Sequence, residues 1–148
     1  MKASEIFLKY VEPMMDRVPK GTKAADLQKM LSVPEMVWNA LVIQEWGPNK
    51  NDHLKMLYEQ LASAQSPTDR QGMTALVDMW VTRKRTLFPE AKWAFDVSVR
   101  DDGLGGHVVR TYIRIPDHLK HVIPTEWQKR ENVRFAEFQP QSHQATKI

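Results

Sequence analysis

Four side chains in the second half of the chain carry the chemistry that recognises a polyanion: Arg100, Arg110, Tyr112 and Arg114. Phosphate oxygens call for cationic donors, and unstacked bases lie against aromatic or guanidinium planes. All four belong to the stretch WAFDVSVRDDGLGGHVVRTYIRIP, residues Trp93 to Pro116, whose alternation lets them share one face of a two-stranded ribbon. Three more cations, Arg83, Lys84 and Arg85, come shortly before it. Residues 80–114 hold seven basic and four acidic side chains, a net of +3. Two ordinary explanations compete with a ligand. Asp96 can pair with an arginine across the strands. The TRKR run falls in the last turns of a helix, where the macrodipole favours cations unaided. The preferred expectation is therefore a face that meets a protein partner, and nucleic acid is the alternative.

Other candidate sites are thinner. His118 and His121 stand three apart in DHLKH, with Asp117 and Glu126 near in sequence. A metal site would want three such donors with ordered support, and no HExxH accompanies them, so no metal or other cofactor is expected. The loop DDGLGG lies between two strand-like runs, whereas a dinucleotide cradle needs a strand, GxGxxG and then a helix. It reads as a turn. The segment 26–41 has the outline of a helix-turn-helix, yet Ser32 stands where glycine is usual and the second helix offers Trp38, Asn39 and Gln44, with Glu35 and Glu45 as its charges, in place of phosphate-binding cations. An αα-hairpin is preferred. No GxSxG is present, there is no cysteine, and Asp101 and Asp102 sit at a loop tip where no strong pKa shift is expected. An enzyme of unrecognised type stays only as a second alternative.

The elements that must position these residues divide in two. Residues 4–18 carry apolar side chains at helical spacing, interrupted by Pro13. Thr22 is expected to cap a short helix through Leu31. Ser32 and Glu35 have the spacing of a capping box opening a separate helix, with Pro34 early in it, that ends near Trp46. GPNKND, residues 47–52, is a loop. Leu54, Leu57, Tyr58 and Leu61 mark a further helix. A second box, Ser66 with Asp69 and Pro67, opens the longest helix, which runs to Leu87 with Met73, Leu76, Val77, Trp80 and Val81 inward.

From Trp93 the period changes from 3.6 to 2. Trp93, Phe95, Val97 and Val99 should face a core, as should Val109, Thr111, Ile113 and Ile115. A lone hairpin is marginal in water, so it must pack on the helices or find a third strand. A helical turn is expected over 117–122 and a short helix from Thr125 to Phe135. The pattern predicts an α+β protein, about five N-terminal helices with an antiparallel hairpin packed on them. Residues 1–138 form one domain and 139–148 a flexible tail.

Composition fits this. The chain has 148 residues, 42% hydrophobic and 26% charged, with a formal net charge of +3. Residues 1–74 are neutral, with nine basic and nine acidic side chains, so the second half carries the whole excess. That bias is milder than the basic stripe of a dedicated nucleic-acid binder. The opening segment lacks the apolar run of a secretory signal, and no window reaches the roughly 18 apolar residues of a membrane span. A cytoplasmic interaction or regulatory module is expected, with no membrane association. An exposed hairpin edge offers one route to a homo-oligomer.

Overall fold

The computed structural model describes residues 2–46, 52–63 and 66–123, and the backbone of 131–134. The architecture is α+β, as the change of period predicts. The chain begins with α1 (Ala3–Tyr10) and a single further turn, α2 (Glu12–Met15). Pro13 explains the break. Without an N–H it cannot bond the Lys9 carbonyl, and the Met14 N–H turns to Val11 instead of Tyr10. Two carbonyls at the end of α1 are thus orphaned. Arg83 fills both: its Nη2 donates to Lys9 at 2.6 Å and its Nε to Tyr10 at 2.5 Å.

α3 (Ala24–Ile43) replaces the two helices expected over 22–46. Ser32 caps nothing; its hydroxyl donates back to the Lys29 carbonyl at 2.6 Å. Glu35 does not reach back to close a box either, because its carboxylate is engaged on a strand. Pro34 lies in the helix interior, where it removes the bond to the Met30 carbonyl. Buried side chains on both sides of it, Leu27 and Leu31 before, Val37, Trp38 and Leu41 after, hold the two halves in one rod. With no turn at Ser32 and with Trp38 buried, the helix-turn-helix outline is lost.

α4 (His53–Ser63) and α5 (Pro67–Leu87) follow the prediction. Ser66 caps α5 by accepting the Asp69 N–H at 3.3 Å. Of the residues expected inward, Val77, Trp80 and Val81 are buried, whereas Leu76 is exposed. Phe88 ends the helix.

β1 (Ala94–Asp101) and β2 (His107–Arg114) form the antiparallel hairpin. Gly103 and Gly105 take φ of +79° and +85° at its tip, which only glycine adopts without strain. Asp102 Oδ1 accepts the Leu104 and Gly106 N–H groups and closes the turn. A third strand, β3 (Glu131–Arg134), pairs with the far side of β2, giving the order β1-β2-β3. This corrects the helix expected over 125–135 at 131–134. A strand there pairs with Val108–Thr111 of β2, support that an isolated hairpin lacks. Residues 124–130 and 135–148, including the expected tail from 139 to 148, lie outside the described residues.

The inner sheet face buries Trp93, Phe95, Val97, Val109, Thr111 and Ile113. Phe95 meets Phe7 and Trp38 with ring centroids 4.9 and 5.0 Å apart, and Tyr10 links Trp38 to Trp80. The Tyr10 hydroxyl donates to the Pro34 carbonyl at 2.7 Å, and burial raises its pKa above the usual phenol value.

Candidate functional site

The outer edge of β1 is a row of backbone groups that would template another strand. α3 runs along it and satisfies it with side chains. The Val99 N–H donates to Gln28, the Val97 N–H to Glu35 and the Phe95 N–H to Asn39, at 3.1, 3.0 and 2.8 Å. Asn39 Nδ2 returns a bond to the Phe95 carbonyl at 2.8 Å. Trp38 and Trp46 then donate their indole N–H groups to the carbonyls of Trp93 and Lys92. The geometry follows from rise. From Gln28 to Asn39 the helix climbs about 16 Å, and from Val99 back to Phe95 the strand covers about 13 Å. Gln28, Glu35 and Asn39 share one helical stripe at offsets of seven and four. With β3 on the other side, both edges of the hairpin are engaged over part of their length, Phe95–Val99 by α3 and Val108–Thr111 by β3.

The seven predicted binding residues divide among three places. The register sets Ala94 opposite Arg114, Asp96 opposite Tyr112, Ser98 opposite Arg110 and Arg100 opposite Val108. Arg100, Arg110, Tyr112 and Arg114 therefore share the outer sheet face, as the alternation predicts. Asp96 lies among them. Glu35, at the rim, feels Asp96 and Arg114, but burial dominates and lifts its pKa to about 7, with the Val97 N–H opposing.

Two of the three TRKR cations, Arg83 and Lys84, are engaged elsewhere. Arg83 is the clamp on α1. Lys84 is only 6% exposed; its Nζ donates to the Ala91 carbonyl at 3.3 Å and sits 5.4 Å from the centre of the Trp38 ring. Arg85 is exposed and lines, with Lys84 and Lys92, a polar pocket of about 280 Å³ that Glu45, Leu41 and Pro89 complete. Arg83 and Lys84 are thus engaged within the protein and Arg85 alone of the three is exposed, because consecutive residues on a helix point about 100° apart.

His118 and His121 are exposed on a 3-10 turn, Asp117–Val122, whose i, i+3 side chains align. The Asp117 carboxylate is taken by Lys120 at 2.8 Å, and that bond holds Asp117 below the usual carboxylate range. Among the described residues no group of three donors stands ready for a metal, and Glu126 lies outside them. No helix among them is long and apolar enough to cross a membrane.

One site was not singled out in the sequence. α2, α3 and α5 line an open apolar groove of about 450 Å³. Met14, Met30, Val33, Leu76 and Met79 line it, Trp80 lies at its floor, and Arg17 and Lys29 stand at its rim. Leu76 and Met79 are each 39% exposed, two large apolar side chains left uncovered one turn apart on α5. The two cations have no ion pair among the described residues. The available signal was Leu76 and Met79 lying one turn apart beside the buried Val77–Trp80–Val81 stripe, which makes the apolar arc of α5 wider than one neighbour can cover.

Protein-family models, curated proteins and solved structures were each compared with this chain, and none matches it.

Proposed function

We propose that this protein is a non-enzymatic interaction module, working in the cytoplasm, that binds an amphipathic helix of a partner protein in the α2–α3–α5 groove. The observation that carries this is the groove itself: apolar along its walls and cationic at its rim. Helix-in-groove recognition needs an apolar trough for anchors spaced at i, i+3, i+4 and i+7. Methionine suits such a trough because its unbranched, polarizable side chain repacks around different shapes. Arg17 and Lys29 select the charge of the occupant. An acidic flank on the incoming helix complements them and speeds encounter at low salt. The volume falls within the roughly 300–1,000 Å³ of ligand-holding clefts.

The test uses two synthetic amphipathic helical peptides with identical apolar faces, one flanked by glutamate and one by lysine. Fluorescence anisotropy should show the acidic peptide binding at least about tenfold tighter, a difference of about 1.4 kcal/mol. Leu76→Asp should abolish binding without unfolding the protein, since Leu76 lies outside the core. Equal affinity for both peptides, or acidic-peptide binding that survives Leu76→Asp, would sink the reading. Concentration-dependent dimerisation through the groove, detected by sedimentation, would assign it to a second copy of the chain instead.

A second reading rests on the outer sheet face. Arg100, Arg110 and Arg114 with Tyr112 on one surface are suited to single-stranded nucleic acid. Asp96 in their midst and the engagement of Arg83 and Lys84 elsewhere weaken it. If nucleic acid is the ligand, Arg110→Ala with Arg114→Ala should lower affinity and flatten its salt dependence.

A further inference from the structure

A polar pocket lies between the end of α3 and the end of α5. Lys84, Arg85 and Lys92 bring three cations to a space of about 280 Å³. Glu45 is the one acid among its lining residues, and no carboxylate lies within ion-pair distance of Lys84 among the described residues. The Lys84 amine is held by a single long hydrogen bond to Ala91 and by the Trp38 face. A buried lysine is ordinarily paired; this one is kept beside like charges.

That is the setting in which an amine becomes a nucleophile: desolvated, flanked by cations, at the wall of a pocket. Burial first, then Lys92 and Arg85, bring the Lys84 pKa down to about 8, against a smaller opposing pull from Glu45 and Glu90. A useful fraction of the side chain is therefore neutral near physiological pH. The flanking charges have a second consequence, because they draw in an anion.

We propose that this pocket is a site for small anionic carbonyl compounds, in which Arg85 and Lys92 hold the phosphate or carboxylate and Lys84 forms an imine with the carbonyl. The Lys84 nitrogen lone pair attacks the carbonyl carbon, and a proton passes from nitrogen to the former carbonyl oxygen. The carbinolamine then expels water to leave the C=N bond. The exchange is amine plus carbonyl for imine plus water and needs no oxidant or reductant. It is independent of the groove, which lies among other residues.

Pyridoxal 5′-phosphate and pyridoxal serve as probes, one with the anion and one without. The folded protein is incubated with each, the imine is trapped with borohydride, and the adducts are located by peptide mass spectrometry. The expected result is a dominant pyridoxal-phosphate adduct at Lys84, about tenfold above any other lysine. Excess inorganic phosphate, Arg85→Ala and Lys92→Ala should each lower it several-fold. Both substituted side chains are exposed, so folding is not at stake in those variants. Pyridoxal should label Lys84 no better than the surface lysines. Adducts spread evenly over exposed lysines would overturn the proposal. So would labelling of Lys84 that ignores phosphate and both substitutions.

Discussion

Asn39 shows how much one side chain can do for a sheet. It donates to and accepts from the same residue, Phe95, and so stands in for a neighbouring strand. Asn39→Leu should cost about 2 kcal/mol, since it strands a backbone donor and acceptor in a part-buried place, and chemical denaturation would show it. The exposed edge should also raise the tendency to aggregate. Glu35 makes a different prediction. Its carboxyl is raised to about 7 from an ordinary value of 4.5, so the folded state holds the proton more tightly than the unfolded state does. The resulting stability is fully present below pH 4.5 and is lost as pH rises through about 7. Glu35→Gln keeps an acceptor for the Val97 N–H while removing the charge. It should be more stable than the parent at pH 8 by on the order of 1 kcal/mol, after allowance for solvent screening. The difference in melting temperature should shrink toward zero by about pH 4.5. The roles of Asn39 and Glu35 were not legible in the sequence, because polar residues on one helical stripe look the same whether they face water or a strand edge.

Two elements opened by the same motif had different fates. Ser66 with Asp69 starts a helix; Ser32 with Glu35 does not. At Ser66 the preceding helix, α4, has its end at Ser63, and Pro67 fits the first turn. At Ser32 the apolar stripe before it, Leu27 and Leu31, continues in register with Val37, Trp38 and Leu41. Burying that continuous face outweighs the loss of one hydrogen bond at Pro34. Ser66→Ala should therefore cost about 1 kcal/mol, and Ser32→Ala should be close to neutral in the same melt. The hairpin and its two faces were legible, because a period of two and a glycine turn are local signals; its register was not, and Asp96 stands opposite Tyr112 where an arginine was expected. The third strand was not: Glu131–Arg134 is too short to show alternation, and its partner, β2, lies 17 or more residues back in sequence.

At the scale of the molecule, α3 is the central rod. One of its sides seals β1, another packs on α4 and α5, and its middle helps to line the groove. The α+β class followed from the change of period alone. The groove did not, since it forms where three helices converge and only their packing shows which apolar residues are left uncovered. Met79→Glu tests its importance at this scale. It should weaken acidic-peptide binding at least about tenfold and change stability by less than about 1 kcal/mol, as expected of a side chain outside the core. Trp80→Ala should instead lower stability by about 3–5 kcal/mol, because Trp80 is both floor and core.

The most direct measurement is a methyl NMR titration of the protein, labelled at its methionine methyl groups, with the glutamate-flanked peptide. Met14, Met30 and Met79 line the groove, whereas Met56 is exposed on α4 away from it. Saturable shifts at the first three, with Met56 unmoved, are the predicted result. Binding that leaves those three unmoved would contradict the assignment of the groove as the docking site.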